Sequence, residues 1–330
     1  MAMSIRSGLF AATAIFAGFA TCLPAHAYDG VVASIKPVHS LVSAVMEGVG
    51  EPALIVRGGG SAHTHSLRPS DAQILEKARL IFRIDEDMET FLNAPLKTLS
   101  GEAVIVSLDD APGLVKLDLR EGGLFEGHGH DDDESHEHAH DDHDGHDAHD
   151  SHDHDAHDLH IWLDPSNARA MLAYIAQALS DADPQNAARY LANAQAYSTR
   201  FNALEDEIKT IVAPVREKPA IVFHDAYQYF ERRFGLNVVG SITINPEIAP
   251  GAQRLTEIRD KVRELGAACV FSEPQFQPRS VAVVMEKTQA RTGVLDPLGA
   301  ELADGPDLYI ELMRSLATAY AGCLSAHQKL

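Results

Sequence analysis

Basic residues are scarce in this 330-residue chain, where 27 Lys and Arg face 48 Asp and Glu for a formal net charge of −21. That balance repels nucleic acid and anionic lipid and attracts cations. Cysteine is scarcer still: the chain has three, none in a Cys-x-x-Cys pair, which argues against a cysteine-built zinc site. Outside the histidine run described below, the chain lacks the His-Glu-x-x-His signature of a zinc protease. Past the first two dozen residues, no apolar run approaches the roughly 20 residues needed to span a bilayer.

What is abundant is histidine and acid, and both are concentrated. Gly127 to Asp158 holds eleven of the 18 histidines and thirteen carboxylates, without one Lys or Arg. His128 and His130 open the run; His136, His138 and His140 alternate; His143, His146, His149 and His152 recur every third residue; His154 and His157 close it. Imidazole nitrogens and carboxylate oxygens ligate divalent transition metals, and they cannot build an apolar core. Residues 126–158 therefore read as a long loop, disordered without metal. This spacing lets several imidazoles reach one ion without presetting a geometry, which suits weak auxiliary zinc sites that collect metal or report its abundance. A solvated insert with incidental metal affinity is the plainer alternative. An EF-hand around Asp142–Gly145 fails, because His140 and Ser151 stand where calcium ligands are required.

The first residues read as an export signal. Arg6 supplies the positive region, Leu9 to Leu23 the apolar one, and Ala25-His26-Ala27 a cleavage site before Tyr28. A membrane anchor is the alternative, with a stretch too short for it. A lipoprotein through Cys22 fits poorly after Phe19-Ala20-Thr21. Removing residues 1–27 leaves Cys269 and Cys323, an even pair that favours a disulfide in an oxidising compartment. Its closed loop would be worth roughly 4 kcal/mol on the chain-entropy estimate. Two separate buried thiols are the alternative.

Strand-like runs alternate with helical periodicity along most of the remainder. Val31–Ile35, Ala53–Val56, Leu80–Ile84 and Ala103–Val106 are β-branched runs, with helices expected between them, one from Ser70 to Ala78 with Ser70 as N-cap. The same alternation returns with Ala220–Phe223, Val238–Ile242, Ala268–Phe271 and Gly293–Leu295, and with helices at Tyr227–Phe234, Leu255–Leu265 and Ser280–Thr292. Alternation of this kind implies parallel sheets, hence two α/β lobes. Between them lies a helix from Asp183-Pro184 to about Val212, long enough at roughly 42 Å to bridge two lobes. The expected division is signal 1–27, first lobe 28–182 with its loop at 126–158, linker helix 183–213 and second lobe 214–330.

Three histidines outside the run sit where α/β proteins build ligand sites, beyond the carboxyl ends of strands. His63 follows Gly58-Gly59-Gly60, His160 opens the strand-like Ile161-Trp162-Leu163, and His224 follows Ile221-Val222-Phe223. Asp296, after Val294-Leu295, shares that address. His39 and His65 lie near it with weaker claims; His26 and His327 have none. Three imidazoles and a fourth ligand make a tetrahedral zinc shell.

At these residues a resemblance becomes specific. His63-x-x-Ser66-Leu67-Arg68-Pro69-Ser70-Asp71, His160-Ile161-Trp162-Leu163-Asp164-Pro165, Phe223-His224-Asp225-Ala226-Tyr227, and Glu273-Pro274-Gln275-Phe276 with Leu295-Asp296-Pro297-Leu298-Gly299 resemble the ZnuA group, the zinc-specific periplasmic binding proteins of ABC importers. The resemblance implies two α/β lobes joined by a rigid helix, with Zn2+ in the cleft held by His63, His160, His224 and the carboxylate position Asp296. It also implies a monomeric periplasmic protein, not an enzyme, that delivers zinc to a membrane permease driven by a cytoplasmic ATPase. An acidic histidine loop and a Cys269–Cys323 pair belong to the same pattern. Some relatives carry a ligating glutamate where this chain has Ala62, so Asp296 or a water must complete the shell. Manganese-type members tend to have a carboxylate where this chain has His224, and three imidazoles favour zinc over the harder ion.

Two other functions compete. Three histidines and a water can also be a hydrolase shell, but Glu273 is the nearest general base and a strand-end turn is its plainer role. A zinc buffer without a transporter would use the loop alone. With histidine ligands, zinc affinity should fall as pH drops through about 6.5.

Overall fold

The computed structural model describes residues 28–120, 123–125, 157–243, 246, 248–277 and 279–325. The expected signal 1–27 and the run histidines from His128 to His154 lie outside the described residues, as do His26 and His327.

Two parallel four-stranded sheets organise the chain. The first contains β1 (Val31–Ala33), β2 (Ala53–Leu54), β3 (Leu80–Arg83) and β4 (Val104–Ser107), in the order β2-β1-β3-β4. Its helices are α1 (Lys36–Val45), α2 (Pro69–Glu76) and α3 (Thr90–Leu99). After the histidine run come α4 (Pro165–Ala182) and α5 (Ala187–Val212). The second sheet contains β5 (Ala220–His224), β6 (Val238–Thr243), β7 (Cys269–Ser272) and β8 (Arg291–Val294), in the order β6-β5-β7-β8. Helices α6 (Gln228–Phe234), α7 (Ala252–Glu264) and α8 (Arg279–Met285) connect its strands, and α9 (Leu308–Ser325) follows. Both sheets place their first strand second in order. The chain leaves β1 and β5 first to one side and then to the other, so each lobe has a switch point at the carboxyl end of that strand. The expected α/β class and its two lobes are borne out.

Local chemistry explains where the boundaries depart from expectation. Helix α2 begins at Pro69, with Arg68 rather than Ser70 as N-cap, because Asp71 Oδ2 accepts the Arg68 amide at 2.9 Å. Ile161–Leu163 is a 3-10 turn, not a strand-like segment. Asp164 caps the next helix by accepting the Ser166 amide at 2.7 Å, and Pro165 supplies a preset N1 residue, so the chain is already winding there. Pro184 precedes α5 in a turn instead of opening the helix. Helix α8 stops at Met285, well short of Thr292, where Lys287 takes a left-handed conformation with φ 57° and the chain turns towards β8.

Helix α5 has 26 residues, roughly 39 Å, and buries one stripe of Tyr190, Ala194, Tyr197, Phe201, Leu204, Ile208 and Val212. That stripe packs against α1 and α4 of the first lobe and against α9. A second connection was not legible in the sequence. Residues 300–309 return to the first lobe, where Lys36 Nζ donates to the carbonyls of Ala300 at 3.2 Å and Leu302 at 2.7 Å. Ser40 Oγ donates to the Pro306 carbonyl at 3.0 Å, and the Tyr309 hydroxyl to the Trp162 carbonyl at 2.8 Å. One apolar core accordingly runs from Val31 in β1 through Phe201 to Phe271 in β7. The disulfide expected between Cys269 and Cys323 is present, with Cα atoms 6.0 Å apart, and it fastens β7 to α9.

The two ends of the histidine run are anchored differently. Before it, Leu124 inserts into a smaller core of the second lobe, against Gly240, where a side chain would collide with it. Arg120 pairs with Asp225 and, at 2.6 Å, with Glu231. After the run, the Asp158 amide donates to the Leu117 carbonyl at 2.8 Å, and Tyr229 Oη donates to the Asp158 carbonyl at 2.6 Å.

Candidate metal centre

Three separate elements deliver the ordered histidines to one point. His224 is the last residue of β5, at the switch point of the second sheet. His160 enters the 3-10 turn that follows the histidine run, and His63 sits on the loop between β2 and α2. One nitrogen from each lies within 4.8 Å of the other two. His160 and His224 are buried, and His63 is partly so.

The hydrogen bonds fix which nitrogens face inward. His160 Nδ1 donates to Asp158 Oδ1 at 2.7 Å, and His224 Nδ1 donates to Glu273 Oε1 at 2.6 Å. An ionised carboxylate can only accept, so each Nδ1 carries a proton, and in the neutral imidazole that metal binding requires each Nε2 presents its lone pair. Those two Nε2 atoms are 3.3 Å apart. Two lone pairs at that distance repel unless an electron-pair acceptor lies between them. The separation also matches tetrahedral zinc, since two nitrogens bonded at about 2.1 Å would stand roughly 3.4 Å apart. Burial, followed by the neighbouring His160 and His224, pulls His63 from 6.5 down to about 3, so it is held neutral and able to ligate.

The space among the three rings is small, about 10 Å3, room for an ion or one water. Ala62, Trp162, Phe276, Pro297 and Leu298 form its apolar wall. Trp162 Nε1 donates to the Pro297 carbonyl at 2.9 Å, tying the His160 turn to the opposite lobe across the cavity.

Asp296 lies outside this group. Its Oδ1 accepts from Gln275 Nε2 at 2.8 Å, the Leu298 amide at 3.1 Å and the Gly299 amide at 2.9 Å, while Oδ2 accepts the Ala300 amide at 2.5 Å. The carboxylate folds back to cap its own turn, and both oxygens are engaged there. His39 is equally occupied, its Nε2 paired with the Pro52 carbonyl at 3.0 Å. His65 packs edge-on against Phe91 at 5.1 Å, away from the three. His157, the one described histidine of the run, pairs with Asp109 Oδ1 at 2.8 Å and not with the central cluster.

Sequence reasoning missed the two carboxylates behind the ligands. Asp158 was counted with the run, although an Asp two residues before a histidine commonly accepts that residue's amide, as it does here at 2.9 Å. Glu273 stands just beyond the end of β7, the strand next to β5, so sheet order alone brings it beside His224. That order is invisible in one sequence.

Two α/β lobes with a small, histidine-lined cavity between them define a two-lobed metal-binding solute-binding protein. The family model for the periplasmic component A of a zinc-uptake complex, ZnuA, matches residues 31–323. The high-affinity zinc uptake system protein ZnuA of Brucella suis is 54% identical over 327 residues, covering 96% of this chain and 98% of its own. The protein of that description from Yersinia pestis is 38% identical, covering 89% and 91%. Among solved structures, a ZnuA crystal structure superposes with a TM-score of 0.69 at 22% identity, over 89% of this chain and 99% of its own. A zinc-bound ZnuA lacking its residues 138–173 gives 0.68 at 23% identity, over 91% and 100%. This chain belongs to the ZnuA family, whose members are binding proteins and not enzymes.

Proposed function

We propose that this protein captures Zn2+ in the periplasm with His63, His160 and His224 and delivers it to the membrane permease of an ABC importer driven by a cytoplasmic ATPase. The observation that carries the reading is the pair of inward Nε2 lone pairs 3.3 Å apart, each backed by a carboxylate at Nδ1, with a third neutral imidazole beside them. All-nitrogen donors favour zinc over manganese or magnesium. Engagement of both Asp296 oxygens by other donors supports water as the fourth ligand. Residues 1–27 act as a cleaved export signal. The first lobe spans 28–182, the linker helix 183–213 and the second lobe 214–330.

The histidine run, from His128 to His157, serves as a weaker, exchangeable zinc store beside this site. Titration of a chain lacking residues 128–156 should lose several weak zinc equivalents and keep the tight one; unchanged stoichiometry would contradict the store. The deletion must stop before Asp158, which holds His160. For the importer reading, the chain is supplied to cells lacking their own zinc-binding component under chelator-imposed zinc starvation. Wild type should restore growth, and the His160→Ala and His224→Ala variants should not. Equal growth with and without the protein would favour a periplasmic buffer over an importer component.

A further inference from the structure

A divalent ion held by three neutral imidazoles and water keeps its full double charge inside an apolar wall, an arrangement that is costly without compensating charge. The family's carboxylate position stands outside the three-histidine group here, with Asp296 accepting from three amides of its own turn and from Gln275. Two other carboxylates are aimed at the centre. Asp158 is 4% and Glu273 is 3% exposed, and each bonds the Nδ1 of one ligand through a single oxygen. Of their other oxygens, Asp158 Oδ2 is buried without a hydrogen-bond partner, and Glu273 Oε2 is buried with the Tyr227 hydroxyl as polar neighbour. Such an orphaned carboxylate oxygen is unfavourable in an apolar surrounding unless the charge has a second purpose. Facing a dication one residue away supplies that purpose.

We propose that Asp158 and Glu273 are the positioning residues of the metal site: they hold the His160 and His224 imidazoles as Nδ1–H tautomers and together balance the charge of the ion from one shell out. The proposal rests on the three-histidine reading above. One carboxylate belongs to each half of the cleft. Asp158 reaches its ligand from the end of the histidine run, two residues away, and Glu273 from the neighbouring strand of the second sheet. His63 is different: among the described residues no carboxylate pairs with its ring, and its backbone amide donates to Ser61 Oγ at 3.1 Å. The site is thus two preset imidazoles and one that follows.

The test compares Asp158→Asn, Asp158→Glu, Glu273→Gln, Asp296→Asn and His224→Ala in the full mature chain. Three readouts are used: zinc affinity by chelator competition, the visible spectrum of the Co2+-loaded protein, and the imidazole 15N shifts of the metal-free protein. Asp158→Asn and Glu273→Gln should each weaken zinc by about 10- to 100-fold, the usual consequence of losing a partner behind a ligand. The Co2+ spectrum should stay tetrahedral but shift, and the 15N shifts of His160 or His224 should show a mixture of tautomers. Asp158→Glu should recover most of the affinity. Asp296→Asn should lower thermal stability and leave affinity within a few-fold. Where a variant is too unstable to titrate, its 15N spectrum in the folded fraction decides. Unchanged affinity, spectrum and tautomers in Asp158→Asn and Glu273→Gln would overturn the proposal while leaving the ligand set intact. Retention of tight zinc by His224→Ala would instead overturn the ligand set.

Discussion

His63 shows how far one side chain's environment can depart from its type. Exposed imidazoles titrate near 6.5, yet this one is drawn down to about 3 by burial and then by His160 and His224. Between those values the unfolded chain carries the extra proton. The His63 contribution to stability of the metal-free fold therefore decreases as pH falls from 6.5 towards 3, with nothing lost at this residue above 6.5, while buried Glu89 and Glu231, both raised to about 7, act in the opposite sense. The thermal unfolding temperature of metal-free His63→Gln should fall less than that of wild type, by several degrees, over that interval. Identical slopes would mean His63 is not buried as described. The same shift revises the simplest expectation for zinc: proton competition at this ligand sets in near the lower value, not at the ordinary imidazole pKa.

At the scale of elements, what was legible in the sequence and what was not have a common cause. Strands such as Leu80–Arg83, buried at every position, announce themselves as continuous apolar runs. His224, the last residue of β5, is legible for the same reason, because position along the chain fixes that address. Asp158, Glu273 and the return of residues 300–309 over α1 depend on which elements become neighbours, and one sequence does not contain that. The Ile161–Leu163 segment failed differently: three buried apolar residues fit a strand or a turn equally, and the Asp164-Pro165 cap decided it. Two element contacts yield measurable consequences. The Cys269–Cys323 link closes 54 residues, so Cys323→Ala should cost up to roughly 4 kcal/mol in denaturant unfolding, a loss that reducing agent should reproduce in wild type. Phe201 is fully buried where α5 meets Tyr309 of α9, so Phe201→Ala should cost about 3–5 kcal/mol. A change below about 1 kcal/mol would mean that α5 and α9 are not packed as a unit.

Across the whole molecule, the cleft is closed by contacts from opposite lobes rather than by the linker alone. Trp162 reaches Pro297, Arg120 reaches Asp225 beside His224, and Lys36 holds the carbonyls of residues 300 and 302. The same strand order recurs in both sheets, and the ligands come from both sides of the gap. A cavity of about 10 Å3 suits a cargo of one ion.

The most direct measurement is the structure of the zinc-loaded protein with diffraction recorded on both sides of the zinc absorption edge. The expected result is one strong anomalous peak in the inter-lobe cavity, with nitrogens of His63, His160 and His224 at about 2.0–2.1 Å and no oxygen of Asp296 in contact. A peak elsewhere, or one ringed by other side chains while these imidazoles turn away from each other, would contradict it.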